Sequence, residues 1–172
     1  LSMGKCSRCI MNKEVQQKDL GWSYIQYQID KICNEISGRN FDVVVGISRG
    51  GLIPAVMISH RLKLPLLTMT VTLRDNLARV QSLKINKGEK ALVVDDINDT
   101  GATFNWIKND WESRHNDPDK WARIWGGNVK FATLTENLAS KFGSVSYSCD
   151  EVNKAEEDVW LVYPWENVGK YD

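Results

Sequence analysis

The chain has 172 residues, with 22 Lys and Arg set against 22 Asp and Glu, so no bulk positive field draws it to nucleic acid or to an anionic membrane. One domain of this length buries roughly 70% of the surface that its unfolded chain exposes, and a second independent core is not expected. No apolar run approaches the roughly 18 residues of a membrane span, and the opening stretch LSMGKCSRCIMNKEV lacks the hydrophobic segment of a secretory signal, which predicts a cytoplasmic protein.

Leu1 is no initiator, so the first two residues read as a cloning remnant, with Met3 or Met11 as the natural start. Residues 1–21 are expected to form an N-terminal extension and residues 22–172 a single domain. Cys6 and Cys9 have the C-x-x-C spacing of a zinc or redox pair. A zinc knuckle needs two more ligands from Cys33, Cys149, His60 and His115, and the pair is otherwise free and reduced.

Trp22, Ile25, Ile29, Ile32, Cys33 and Ile36 recur at helical spacing and predict an amphipathic first helix that ends near Gly38. Residues 42–47 read as a fully buried strand, and residues 52–62 as a helix that tolerates Pro54 in its first turn. Strands follow at 66–73 and 91–94, a helix at 102–113, then strands at 130–134 and 159–162. Strands alternating with helices predict an α/β fold: a mostly parallel twisted sheet flanked by helices, with a small C-terminal hood. Residues 104–128 hold Trp106, Trp111, Trp121 and Trp125, four of the seven tryptophans, and Asp117 and Pro118 look like the cap and first position of a second short helix. This helical insertion is either a contact surface or a packed layer of its own domain.

Two loops carry chemistry. LVVDDINDTGAT, from Leu92 to Thr103, ends a buried strand with carboxylates and opens a helix with small, hydroxyl-bearing residues. The N–H groups of Thr100, Gly101, Ala102 and Thr103, with the positive end of the helix, suit a phosphate. Asp95 and Asp96 are placed to meet ribose hydroxyls or a hydrated divalent cation. The second loop, Ser48-Arg49-Gly50-Gly51, again joins a strand to a helix; its glycines permit an anion nest, and Arg49 adds a planar cation with several donors.

The 95–103 stretch resembles the 5-phosphoribosyl-1-pyrophosphate (PRPP) signature of the type I phosphoribosyltransferases: two acidic residues, two variable ones, then Asp-Thr-Gly-x-Thr. The late segment, in which Trp160 is followed by Pro164, Trp165 and Glu166, is similar to the 6-oxopurine (xanthine-guanine and hypoxanthine) branch of that family. The resemblance implies transfer of a phosphoribosyl group from PRPP to a nucleobase, with Mg²⁺ as cofactor and a homo-oligomer, dimer or tetramer, as the working form. By it, Ser48, Arg49, Gly50 and Gly51 would hold pyrophosphate, with Arg74 or Arg79 as further contacts. Asp95, Asp96 and Thr100 to Thr103 would hold the ribose 5-phosphate; Asp95, Asp96 and Glu166 would meet the metal. Asp99 would be the general base, Trp160 would stack on the nucleobase and the backbone of Leu161 would read its edge. One position departs from the pattern: where the branch has a lysine for the 6-oxo group, this chain has Asn137 or Glu136, of which Asn137 could contact the base by donating to a carbonyl through its amide. That leaves open a pyrimidine or another acceptor, and a PRPP-binding regulator without turnover is a further alternative, although no basic tail or helix-turn-helix is visible.

Overall fold

The computed structural model describes residues 15–73, 79–81, 88–114 and 117–166. Six strands form one sheet in the order β4-β3-β2-β5-β6-β7: β2 (Val43–Ser48), β3 (Leu66–Thr72), β4 (Arg79–Gln81), β5 (Ala91–Asn98), β6 (Val129–Asn137) and β7 (Tyr147–Val152). All neighbours are parallel except the β3/β4 pair at one edge. A separate two-stranded parallel ribbon pairs β1 (Gln16–Asp19) with β8 (Val159–Val162).

Why the central strands lie inside follows from their side-chain alternation. Val44, Leu92, Val94, Ala132 and Leu134 face one layer, completed by α1 (Trp22–Ile36) and α2 (Leu52–Leu62). Val43, Val45, Val93 and Phe131 face the other, completed by α3 (Ala102–Ser113) and α4 (Pro118–Asn128). The buried face of α1 is Ile25, Gln28, Ile29, Ile32, Cys33 and Ile36, the predicted stripe with Gln28 added and Trp22 left 55% exposed. Gln28 is tolerated inside because its amide donates to the Leu134 carbonyl at 3.3 Å and to Asp150 at 2.6 Å.

Several elements differ from their expected extents. β5 runs on through Asp95, Asp96 and Ile97 to Asn98, because β6 also extends and pairs Asp95 with Thr133 and Ile97 with Thr135. Polar residues persist in this stretch since side chains and carbonyls nearby satisfy them: Asn98 donates to the Phe142 carbonyl at 2.9 Å and accepts from the Ser140 hydroxyl at 2.9 Å. β1, β4 and β7 carry no apolar alternation strong enough to announce a strand; β4 and β7 are sheet edges and β1 is exposed throughout, so burial places little demand on their residues. β1 lies within the stretch assigned to an extension, yet it is tied to the hood, where the Leu20 N–H also donates to the Val162 carbonyl.

The tryptophan-rich stretch is mostly core. Trp111 and Trp121 are each 4% exposed and sit with Phe104, Ile107, Phe131 and Phe142 against the sheet, with Trp106 packed beside them. α3 and α4 together connect β5 to β6, and packing within the domain accounts for Trp106, Trp111 and Trp121, while the side chain of Trp125 lies outside the described residues. Asp117 does cap α4, accepting from the Lys120 N–H at 3.0 Å. Cys6, Cys9 and His115 lie outside the described residues, and no described helix is long and apolar enough to cross a membrane.

Candidate active site

The carboxyl ends of β2 and β5 lie side by side, and each leads directly into the N-terminus of a helix. Parallel neighbours therefore point two helix N-termini into one crevice, which holds a cavity of about 730 Å³. Neither helix has a side-chain cap at its N-cap residue, Gly51 or Gly101; the Leu52 N–H donates to the Arg49 carbonyl at 3.1 Å and the Ala102 N–H to the Thr100 hydroxyl, and the rest of each first turn has no capping side chain.

The first wall is the β2–α2 turn. Ser48, Arg49 and Gly50 line the cavity, and the Ser48–Arg49 peptide is cis. Gly51 lies beneath them: a Cβ there would stand 2.5 Å from the Val94 carbonyl oxygen and 2.7 Å from the Asp95 Cα. A Cβ at Gly50 would run into the Asp96 carboxylate. Close approach of the turn to the β5 backbone thus requires glycine at 51, whereas a side chain at 50 would have to displace the Asp96 carboxylate.

The second wall is the β5–α3 turn, and Asp95, Asp96, Asp99, Thr100, Gly101, Ala102 and Thr103 all line the cavity. Gly101 has φ +84°, and a Cβ would approach the Phe142 N–H nitrogen to 2.5 Å, so this position needs glycine twice over. The Thr100 hydroxyl accepts from the Ala102 N–H at 3.3 Å, holding the loop while its own O–H remains a donor. Asp95 accepts from the Asp96 N–H at 2.9 Å and Asp96 from the Ile97 N–H at 2.8 Å. Burial raises the pKa of Asp95 well above the usual carboxylate range, with Asp96 next to it adding to the effect. Asp96 is also raised, again by burial first, with the Glu166 charge contributing. With Asp96 buried and Asp95 half-buried beside it, the pair forms a place that a positive charge would stabilise.

The hood supplies the third wall: Trp160, Leu161, Tyr163, Trp165 and Glu166 line the cavity. Trp160 is 49% exposed, which separates it from the core tryptophans, whereas the Leu161 side chain is buried. Tyr163 is fixed: its hydroxyl donates to the Asp96 carbonyl at 3.1 Å, lies 3.2 Å from the Thr135 hydroxyl, and its ring stacks on Trp165 at 4.9 Å. Glu166 accepts from the Tyr163 N–H at 3.1 Å, so one of its oxygens is engaged in the turn.

Asn137 stands elsewhere. It lines a neighbouring cavity of about 390 Å³, and its amide is fully occupied. Its Nδ2 donates to the Asp99 carbonyl at 2.8 Å, and its Oδ1 accepts the N–H groups of Ala139 at 3.1 Å and Lys154 at 3.0 Å. The side chain is a joint between the Asp99 and Lys154 loops and has no amide group left for a base. Glu136, its neighbour, does not line the main cavity among the described residues; burial raises its pKa, with Glu151 opposite adding to the shift.

Lys154, which no motif singled out, does reach the main cavity. Its Nζ lies 3.1 Å from Asp99 Oδ2 and 5.6 Å from the centroid of the Trp160 ring. The only hint in the sequence was a basic residue in the turn before Trp160, and nothing local says that this turn folds toward Asp99. Arg74 lies outside the described residues, and of Arg79 only the backbone is described, in β4.

For a divalent cation, the available donors are hard carboxylate oxygens, the type that Mg²⁺ prefers. Among the described residues, no group of three or more His, Cys, Asp or Glu side chains is arranged to hold a metal. The donor set therefore fits an ion shared between one or two carboxylates and a phosphorylated ligand rather than a closed protein cage.

A mostly parallel open sheet whose two strand-to-helix turns open on one cavity beside a half-exposed indole has the architecture of a ligand-binding α/β protein. The chain belongs to the phosphoribosyl transferase domain family, whose model matches residues 22–162, and it is a phosphoribosyltransferase. It is 27% identical over 157 residues to a xanthine-guanine phosphoribosyltransferase of Chromohalobacter salexigens, an alignment that covers 88% of this chain and 85% of that protein. A second xanthine-guanine phosphoribosyltransferase, from Idiomarina loihiensis, is 26% identical over 140 residues, covering 77% of this chain and 75% of that protein. Among solved structures, the fold is similar to a purine phosphoribosyltransferase from Pyrococcus horikoshii Ot3, with TM-score 0.71, 23% identity, and 91% of this chain and 98% of that chain covered.

Proposed function

We propose that the protein transfers the 5-phosphoribosyl group of PRPP to a 6-oxopurine, giving the nucleoside 5′-monophosphate and pyrophosphate. The observation that carries this reading is the meeting, in one cavity of about 730 Å³, of both strand-to-helix loops with the half-exposed Trp160. The relatives named as xanthine-guanine enzymes support the choice of base.

In the reaction the bond from ribose C1′ to the pyrophosphate oxygen breaks, and a bond from C1′ to a purine nitrogen forms. The Ser48–Gly51 turn and Arg49 take the charge that develops on the leaving pyrophosphate. First-turn N–H groups of α3, with the hydroxyls of Thr100 and Thr103, grip the 5-phosphate and fix the sugar relative to the base. Asp95 and Asp96 receive the ribose hydroxyls. Asp99 accepts the proton lost by the purine nitrogen as the new bond forms. Asp95, Asp96 and Glu166 are the residues that would hold Mg²⁺ together with PRPP, and the ion would supply charge neutralisation at the pyrophosphate.

The test is pyrophosphate release from PRPP and Mg²⁺, with guanine, xanthine, hypoxanthine, adenine, uracil and orotate supplied separately. Turnover with the 6-oxopurines is expected. Tight PRPP binding by calorimetry with no turnover on any base would replace the transferase by a PRPP sensor, and turnover confined to uracil or orotate would overturn the choice of acceptor. Omitting Mg²⁺ in the presence of a chelator is expected to abolish turnover.

A further inference from the structure

Resting on the transferase reading above, we infer that Asn137 is a positioning residue for the proton transfer: its amide braces Asp99 against the sheet, and the rate of the chemical step depends on that brace. Asp99 lines both cavities, whereas Asn137 lines the smaller one and not the larger. Asp99 is thus part of the partition between them, and Asn137, only 6% exposed, holds it from the side away from the proposed ligand.

The brace is rigid because it stands on the sheet. Asn137 ends β6, where it is in register with Val152 of β7, and its neighbour Glu136 is in register with Asn98 of β5. From there Nδ2 donates to the Asp99 carbonyl at 2.8 Å and stands 3.4 Å from Asp99 Oδ1. Oδ1 accepts the N–H groups of Ala139 at 3.1 Å and Lys154 at 3.0 Å, which keeps the amide from turning away. The position therefore needs a donor and an acceptor together on a short stem, and a carboxylate lacks the donor while an ammonium lacks the acceptor.

Asp99 has a second partner, but that partner stands where the ligand would go. Lys154 Nζ is 3.1 Å from Asp99 Oδ2 and 5.6 Å from the centroid of the Trp160 ring, over the face on which a stacked base would lie. A base on that face displaces the ammonium, and a proton acceptor held by this ion pair alone would lose its orientation as the base arrived. The Asn137 contacts come from the other side of Asp99 and survive the exchange. Misplacing a reacting group by about 1 Å costs on the order of 10²-fold in rate, so the brace bears on the chemical step. It bears little on PRPP, because the phosphate loop has ties of its own: the Thr100 carbonyl accepts from the Lys141 N–H at 3.0 Å and the Thr100 hydroxyl from the Ala102 N–H at 3.3 Å.

The experiment is a double-mutant cycle on the wild type, Asn137→Asp, Asp99→Asn and the double variant, below every Tm, with the single-turnover rate on guanine and hypoxanthine and the KM for PRPP as readouts. Asn137→Asp keeps the length and the two accepted hydrogen bonds and loses the donor to Asp99. It is expected to lower the single-turnover rate about 10- to 100-fold with PRPP KM little changed. In the Asp99→Asn background the same change is expected to cost no more than about twofold, because its effect runs through the Asp99 carboxylate. An equal factor in both backgrounds, or an unchanged rate in Asn137→Asp, would overturn the proposal and leave Asn137 as a tie of the fold alone. Asn137→Ala goes through the same cycle with the same two outcomes, and it decides the matter if the chain with the added carboxylate does not fold. Failure of the transferase reading is seen separately, in a wild type that turns over no base, and the proposal falls with it.

Discussion

The proposed phosphate half and the proposed base half of the site are built in different ways. The phosphate half consists of two runs of consecutive residues, Ser48–Gly51 and Asp95–Thr103, each carried from a central strand into the helix that follows. The proposed base half takes Trp160 from β8 and Asp99 from the rim of the other half, with Lys154 from the turn before β8 between them. A phosphate can be gripped by adjacent N–H groups of a single turn, whereas a heterocycle needs a face and two edges, which no single turn can offer. The first half is therefore local in sequence, and the second exists only after folding.

Substitutions can break or sharpen this division. The largest expected effect is at Asp99, where the halves meet: Asp99→Asn should lower kcat by about 10²- to 10⁴-fold, the usual contribution of a general base, with PRPP affinity nearly intact by calorimetry. A comparable loss of PRPP affinity would assign Asp99 to the phosphate half. Arg49→Ala should weaken PRPP and pyrophosphate binding about 10- to 100-fold, read as PRPP KM and product inhibition, while base KM stays constant. Trp160→Ala should do the reverse, raising base KM on the order of 10-fold through lost stacking and leaving PRPP KM alone. No change there would make Trp160 a bystander at the cavity mouth.

Smaller effects concern stability. Gly101→Ala places a Cβ 2.5 Å from the Phe142 nitrogen at a positive φ, and should destabilise the fold by about 1–3 kcal/mol, visible as a lower Tm. The weakest expected effect lies at the tie between α1 and β7, where the Tyr24 hydroxyl donates to Asp150 at 2.8 Å. That hydrogen bond, with burial adding to it, pushes the Tyr24 pKa from 10.0 up to about 12. The folded state holds this proton more tightly than the unfolded chain, so the contribution is complete below pH 10.0 and fades as pH rises toward about 12. Tyr24→Phe should flatten that decline in alkaline denaturation, leaving neutral-pH kinetics unaltered.

Legibility followed the same division. α2 has the predicted bounds because its apolar residues, early proline and the two glycines before it all act over one or two turns. The central strands stood out because both their faces are covered, which enforces continuous apolar runs. β7 was hidden for the opposite reason: an edge strand reading YSCDEV keeps polar residues that burial would have removed. The spread of tryptophans through residues 104–128 raised the prospect of a contact surface, but an indole serves a core as well as an interface, and only the packing of Trp111 and Trp121 on the sheet separates the two.

By itself the sequence determined the parallel α/β architecture and the two glycine-bearing strand-to-helix turns, because strand burial, glycine geometry and helix N-termini are properties of short segments. Only the tertiary structure decided that Asn137 is a joint between two loops, that Trp160 faces a cavity while Trp111 and Trp121 are core, and that Lys154 stands beside Asp99. Those assignments depend on distances between residues far apart in the chain, and hydrophobic periodicity carries no record of such distances.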